Sequence, residues 1–215
     1  VARAAGADVV TAARRGYGAA CLAGIAAASD ADIIVFLDGD NSDEPSDMAD
    51  LVDPILRDEA DFVIGSRAIG DVEPGALTPQ QVFGNWLATL LIRLIWGARF
   101  TDLGPFRAIR RTALDQLAMA DQTYGWTVEM QVKAVEHGLR SLEVPVRYKQ
   151  RIGVSKVSGT LKGSVLAGYK ILSIIGTHAL RKWRAPTMVG RGRAAGEGHV
   201  PASIAPKIVR VGRSN

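Results

Sequence analysis

Two short apolar runs, separated by one amphipathic segment, restrict the possible folds more than any other feature. Residues 32–37 read DIIVFL and residues 61–65 read DFVIG. Neither run alternates, so each predicts a strand covered on both faces, as in a parallel sheet with helices on either side. Between them Met48, Leu51, Val52, Ile55 and Leu56 recur at helical spacing, with Ser46 as the expected cap and an end near Glu59. Strand, helix, strand with short loops is the pattern of an α/β fold built from right-handed crossovers. Upstream, residues 7–11 read as another short strand and residues 16–28 as a Gly/Ala-rich helix.

The second half changes character. Residues 79–97 predict a helix containing WLATLLIRLIW, apolar almost all round with Arg93 as its one charge. A membrane span needs about 20 mainly apolar residues, so burial in the protein or contact with a membrane surface fits better. A mixed strand and turn is expected at 100–110 and a short helix at 112–119. An amphipathic helix at 126–137 should close at Gly138. LEVPVRY, residues 142–148, alternates as an edge strand, where Pro145 is tolerated. Residues 161–180 are long and apolar but carry Lys162, Lys170 and His178, which suits an interface rather than a crossing. The organisation expected is one α/β domain over 1–160, an interfacial helix over 161–184, and a basic tail over 185–215 whose composition predicts disorder.

Charge is unevenly placed in this chain of 215 residues. The net charge is +4, yet residues 181–215 hold eight Lys or Arg against one acid, Glu197. A basic tail on a mildly acidic body lacks the patch interleaved with aromatics that nucleic acid would require. Attraction to an anionic membrane surface, or a merely solvated tail, are the two readings that remain. The apolar segments 82–96 and 161–180 suit a contact between copies of the chain equally well. The single cysteine, Cys21, permits no internal disulfide and suggests a reducing, cytoplasmic compartment. The N-terminus shows no signal-peptide pattern.

Oxygen ligands concentrate at Asp38-Gly39-Asp40, directly after the first apolar run, with Asn41, Ser42, Asp43 and Glu44 following. Ligands of open α/β sheets bind beyond the carboxyl ends of the strands. Two carboxylates one residue apart there suit a hard divalent cation, Mg²⁺ or Mn²⁺, completed by substrate phosphates. A simple turn with a helix cap draws on the same residue types. Arg67, in GSR, ends the second run and would reach the same rim, where a guanidinium suits phosphate. Asp102 and Arg107 flank a turn at LGPF, and Arg151, Ser155 and Lys156 surround Gly153 in a loop that could bind an anion. Glu129 lies one turn into the predicted helix at 126–137, where an exposed, solvated glutamate is the plainer alternative. Neither GxGxxG nor GxxxxGK[ST] occurs, and the three histidines lack ligand spacing.

Taken in order, GYGAACLAGIAAA, DIIVFLDGD, ADFVIGSR, FTDLGPFRAIRR, YGWTVEMQVKA and EVPVRYKQRIGVSKVSGT resemble glycosyltransferase family 2, in particular its polyprenyl-phosphate sugar synthase branch. The resemblance implies a GT-A fold and an inverting, metal-assisted hexosyl transfer from a GDP- or UDP-linked sugar to a polyprenyl phosphate or other membrane-associated acceptor. It implies a peripheral position at the cytoplasmic face of a membrane. Asp38 and Asp40 match the DxD that meets the sugar nucleotide and its metal, and Asp102 matches a further donor-side acid. Arg67, Arg107, Arg151, Ser155 and Lys156 match groups expected to hold phosphate. Glu129 matches an acceptor-side acid and is the candidate base should the acceptor be a hydroxyl, whereas a lipid phosphate is already ionised. The family's first strand–helix–strand unit, with its I-P-x-x-N-E segment, has no counterpart here, which implies an N-terminally truncated chain. LTPQQ at 77–81 replaces an Arg and a Ser of the polyprenyl-phosphate branch. A sugar nucleotidyltransferase would need a Gly-rich N-terminal nucleotide loop, which is not in this sequence. A degenerate, non-catalytic membrane-associated module would bind no nucleotide with metal.

Overall fold

The computed structural model describes residues 2–153, 161–184 and 210–211, with Leu161, Lys162, Ser164 and the last pair given by backbone alone. In chain order the elements are α1 (Tyr17–Ala27), β1 (Ile33–Phe36), α2 (Met48–Leu56), β2 (Phe62–Val72), α3 (Pro79–Trp96), β3 (Arg107–Arg110), α4 (Arg111–Leu117), α5 (Trp126–Glu136), β4 (Ser141–Tyr148), α6 (Leu161–Arg184) and β5 (Arg210–Val211). The sheet order is β4-β2-β3-β1-β5. The α/β class and both buried strands match the sequence reading, but the sheet is mixed rather than all parallel. β2–β4 and β1–β5 are parallel, while β3 lies between β1 and β2 and runs against both. The reason is local. After β2 the chain leaves the sheet through α3 and re-enters through residues 97–106 at the rim it left, so the next strand must run back.

The pairing register sorts side chains cleanly. Ile34, Ile109 and Phe62 form one row across three strands, and Val35, Ala108 and Val63 form the next row on the opposite face. The first face packs against Cys21, Leu114, Leu117, Trp126 and Met130 of α1, α4 and α5. The second packs against Met48, Leu51, Val52 and Ile55 of α2. Helix α5 is apolar on two sides: Trp126, Met130 and Ala134 face the sheet, while Val128 and Val132 meet Ala88 and Ile92 of α3 and Ile175 of α6. Residues four apart share a helix face, so the two sets belong to two layers. α3 and α6 therefore form an outer layer over α5.

Several boundaries differ from the sequence reading. Residues 7–11 are exposed and form no strand, since five residues without a neighbouring partner cannot satisfy their backbone in a ladder. Glu44, not Ser46, opens the turn before α2: its carboxylate accepts from the Ser46 hydroxyl at 2.8 Å, and a 3₁₀ turn at Pro45–Asp47 precedes the helix, which ends at Leu56. β2 runs on to Val72, well beyond Gly65. α3 is stopped by Gly97 at φ 75°, and its start is a capping box between Thr78 and Gln81. β4 is the edge strand expected, and Gly138 takes φ 68° after α5. The tail reading for 185–215 lies outside the described residues apart from β5, as do Ser155 and Lys156.

Candidate functional site

The carboxyl ends of β1, β2 and β4 open onto a cavity of about 270 Å³ roofed by α3 and α6. Asp38 from β1, Arg67 from β2, and Tyr148 and Arg151 from the end of β4 all line it. Apolar and small residues of the helical roof, among them Gly84, Ala167, Gly168 and Ile171, complete the wall. Tyr17, Tyr124 and Thr127 close the side toward α1 and α5. A site at this rim is where the fold class places ligands.

Arg67 reaches the cavity because the β2–β4 ladder breaks after Ser66. Ser66 faces Pro145, yet the next pair is Asp71 with Arg147, so residues 67–70 bulge out of register. The Arg67 guanidinium is then fixed from behind by Asp102: Nε to Oδ2 at 2.7 Å, Nη2 to Oδ1 at 2.7 Å, and the Arg67 amide to Oδ2 at 2.8 Å. Its carbon lies 5.0 Å from the Tyr148 ring centroid. Burial pulls the Arg67 pKa down, but the bonds to Asp102 more than offset this and hold it above the ordinary guanidinium value. Asp102 is itself buried and fully used by Arg67. It stands behind the arginine, and its carboxylate is not among the groups that line the cavity.

Glu143 of β4 was missed by the sequence reading. Its carboxylate accepts from the Thr101 amide at 2.9 Å and the Asp102 amide at 3.1 Å, which sets the turn that aims Asp102 at Arg67. Burial pushes the Glu143 carboxyl above the usual range, partly countered by these amides. The signal lay in EVPVRY, where Glu143 and Arg147 alternate with Val144, Val146 and Tyr148. Tyr148, at the other end of the same segment, was likewise legible only as a strand residue.

The DGDN turn is closed by its neighbours. Asn41 takes the left-handed conformation at φ 65°, so the positive φ of this turn falls on an asparagine rather than on Gly39. The Asp40 Oδ1 accepts from the Ser42 amide at 3.2 Å, and Oδ2 meets Arg151 Nη1 at 3.3 Å. The Ile152 amide donates to the Asp40 carbonyl at 2.9 Å, and the Lys149 amide to the Ser42 carbonyl at 2.8 Å. Asp43 is buried; its Oδ2 accepts from the Asp38 amide at 3.1 Å and its Oδ1 has no partner. Burial above all, with Asp38 and Asp40 nearby, pushes this carboxyl up to about 7. Among the described residues no group of three or more His, Cys, Asp or Glu is arranged to enclose a metal. Asp38 and Asp40 nevertheless fit a hard cation as a two-carboxylate donor set whose remaining ligands come from phosphate and water. An orphaned acid oxygen and three neighbouring carboxyls make a site that gains from added positive charge.

Two expected site residues are placed elsewhere. Arg107 is fully buried and donates to the carbonyls of Gly104 and Thr127 at 3.0 Å and Leu103 at 3.1 Å. Burial pulls its pKa down to about 10. Its donors are committed to main-chain oxygens, so it clamps the 103–104 turn to α5 and is not a phosphate ligand. Glu129 is neither exposed nor among the residues lining the cavity. Its carboxylate accepts from the Ala120 amide at 3.1 Å and the Asp121 amide at 2.8 Å and pairs with Lys133 at 2.8 Å, so it ties down the loop before α5.

Comparison with known proteins agrees with this arrangement. The profile of Glycosyl transferase family 2 matches residues 5–118, which contain Asp38, Asp40, Arg67 and Asp102. An uncharacterized glycosyltransferase of Mycobacterium tuberculosis (strain ATCC 25618 / H37Rv) is 36% identical over 165 residues, 75% of this chain and 73% of that protein. An undecaprenyl-phosphate mannosyltransferase of Micrococcus luteus is 29% identical over 140 residues, 63% of this chain and 57% of its own length. The solved structure of glucosyl-3-phosphoglycerate synthase from Mycobacterium tuberculosis with Mn²⁺, UDP-glucose and phosphoglyceric acid superposes with a TM-score of 0.59 at 22% identity. That match covers 81% of this chain but only 63% of the other. The likeness in structure establishes a GT-A fold, and with the matches in sequence it establishes that the chain belongs to glycosyltransferase family 2.

Proposed function

We propose that the protein transfers a hexose, with inversion, from a GDP- or UDP-linked sugar to a polyprenyl phosphate at a membrane surface, assisted by Mg²⁺ or Mn²⁺. The observation that carries this reading is the cavity itself. It combines a carboxylate at the β1 terminus with two arginines, Arg67 and Arg151, under a roof in which α6 supplies the apolar and small Ala167, Gly168 and Ile171 and α3 supplies Gly84 with the polar Gln80, Gln81 and Asn85. A sugar diphosphate needs the cationic rim, and a lipid phosphate needs both a cation for its head and an apolar wall for its chain. The Micrococcus luteus relative is named for undecaprenyl phosphate, and the solved neighbour holds Mn²⁺ with UDP-glucose.

In this reading Asp38 and Asp40 hold the divalent cation, whose chemistry is to neutralise charge on the leaving diphosphate. Arg67, fixed by Asp102 and Tyr148, is a preorganised counter-charge for a phosphate oxygen and pays no reorganisation cost during transfer. Attack by an acceptor phosphate requires no proton removal, because that phosphate is ionised at neutral pH. Glu129 therefore need not act as a base, in keeping with its position behind the 118–121 loop. A peripheral location on a membrane surface is supported by the exposed apolar side chains of α3 and α6. No helix among the described residues is long and apolar enough to cross a membrane.

The test is thermal unfolding of the chain with UDP or GDP, in Mn²⁺ or EDTA, alongside Asp38→Asn. Ligand binding to the native state raises the midpoint by mass action. A metal-dependent rise for one nucleotide, lost in the variant, supports the reading and identifies the donor base. Labelled sugar from that donor should then appear on polyprenyl phosphate in detergent. Absence of a rise with either nucleotide, or transfer that persists undiminished in EDTA, would overturn the metal-assisted mechanism.

A further inference from the structure

Arg67 and Arg151 line one cavity but are held very differently. Arg67 is locked by a two-pronged bond to a buried carboxylate, with both prongs at 2.7 Å. Arg151 touches Asp40 through one nitrogen at 3.3 Å, and both side chains are 23% exposed. Charge-assisted N–H···O bonds normally run about 2.7–2.9 Å, so the Arg151 contact is the loose and replaceable one. It occupies Oδ2 of Asp40, while Oδ1 is taken by the Ser42 amide and hydroxyl. A cation bound to Asp40 through Oδ2 must therefore displace Arg151.

We infer that Arg151 is a stand-in counter-ion for Asp40, exchanged for the divalent cation when a nucleotide diphosphate enters the cavity. The inference rests on the sugar-nucleotide reading above and concerns the order in which that site assembles. Without nucleotide, Arg151 and the cation compete for one carboxylate oxygen, so the arginine weakens cation binding. With nucleotide, the displaced guanidinium finds the phosphates in the same cavity, so the penalty it imposes on cation binding shrinks. The backbone beside it need not move: the Ile152 amide to Asp40 carbonyl bond and the Lys149 amide to Ser42 carbonyl bond hold this stretch along the turn. Only the side chain swings. The two ligands are thereby coupled, each favouring the other through one guanidinium. A purely structural role for Arg151 produces no such nucleotide-dependent penalty.

The experiment is Mn²⁺ titration by electron paramagnetic resonance of the full chain, Arg151→Gln, Arg151→Lys and Asp40→Asn, without nucleotide and with saturating UDP or GDP. Without nucleotide, Arg151→Gln is expected to bind Mn²⁺ about fivefold tighter than wild type, the scale of one partly exposed ion pair. With saturating nucleotide the advantage is expected to vanish, the variant and wild type binding Mn²⁺ within about twofold of each other, because the wild-type guanidinium then has phosphate as its partner. Arg151→Lys keeps the charge and should stay near wild type in the first condition. Asp40→Asn should weaken Mn²⁺ binding in both. Equal or weaker Mn²⁺ binding by Arg151→Gln without nucleotide, in a protein that still binds nucleotide with metal, overturns the exchange alone. Failure of the wild type to bind Mn²⁺ even with nucleotide overturns the metal-assisted function, and the exchange with it.

Discussion

Arg107 spends its guanidinium on the carbonyls of Leu103, Gly104 and Thr127, with no carboxylate among these partners. Removing it takes the side-chain donor away from these carbonyls, two of them on the buried residues Leu103 and Gly104, and leaves a void under Phe62, whose ring centroid is 5.7 Å from the guanidinium. Arg107→Ala should therefore cost about 3–5 kcal/mol, read from urea unfolding, and Arg107→Lys should recover only part, since an ammonium cannot span three carbonyls as a planar fork does. A loss below about 1 kcal/mol, the scale of a single net hydrogen bond, would contradict the clamp. Glu143 gives a prediction in pH. Its folded-state pKa is raised by burial, so its contribution to stability is fully present below the ordinary glutamate range and is lost as pH rises through the raised value. Glu143→Gln keeps a carbonyl oxygen for the Thr101 and Asp102 amides without the charge. It should gain stability relative to wild type between pH 4 and pH 8, and unfolding curves that stay parallel over that range would refute the assignment. At this scale the sequence showed which residues are chemically able to act, but not which of them face the cavity. Arg67 and Arg107 each follow a strand-and-turn segment in similar company. Only the bulge after Ser66, which no local pattern announces, turns one into the site while the other is buried by the 103–106 turn.

Helix α1 shows how an element is anchored by what it cannot carry. The amides of Gly18 and Ala19 donate to the carbonyls of Thr123 and Gln122 at 3.2 and 3.0 Å, so a loop from elsewhere in the chain satisfies the helix start. A Cβ on Gly18 would fall 2.0 Å from the Asp121 carbonyl oxygen, and one on Gly16 equally close to that of Gln122. Gly18→Ala should therefore push α1 off the 121–123 loop at a cost of about 1–3 kcal/mol. An unchanged thermal midpoint would show that the loop yields freely. In the outer layer, Ile175 is buried against α3 and α5, and Ile175→Ala should cost about 2–4 kcal/mol by the same assay. The elements themselves were largely legible, because DIIVFL, DFVIG and the helix at 126–137 carry unbroken or periodic apolar patterns. Their order in the sheet was not. β3 is a four-residue strand, RAIR, whose position between β1 and β2 follows from where α3 returns the chain, and no periodicity within four residues encodes a direction. Glu129 was equally opaque: a glutamate in a first helical turn reads the same whether solvated or folded onto the amides of 120 and 121.

At the scale of the whole molecule, α3 and α6 carry exposed apolar side chains beside basic ones. Val82, Phe83 and Trp86 of α3 and Val165, Leu166 and Tyr169 of α6 are exposed, and the two helices roof the cavity. Further along, Trp183 lies among Arg181, Lys182 and Arg184 in the last turn of α6. Lys182 donates to the Ile95 carbonyl at 2.6 Å, which fastens this end of α6 to α3. Aromatic and aliphatic side chains beside basic ones are what an anionic lipid surface attracts, with roughly 1 kcal/mol for each basic residue near it. The chain should therefore sediment with vesicles of anionic lipid far more than with neutral ones, and less as salt shortens the range of the attraction. Replacing Phe83 and Trp86 together by Asp should lower vesicle binding by about thirtyfold or more, each apolar side chain contributing on the order of 1 kcal/mol when half-buried. Neither residue lines the cavity, so the nucleotide-driven rise in unfolding midpoint should survive the change. Loss of self-association with unchanged vesicle binding would instead make this face a contact between copies of the chain. The distinction bears directly on the chemistry. Under the proposed function, a roof that rests on lipid would let a polyprenyl chain stay in the bilayer while its phosphate enters between α3 and α6, and the sugar nucleotide would reach the carboxylate rim from water.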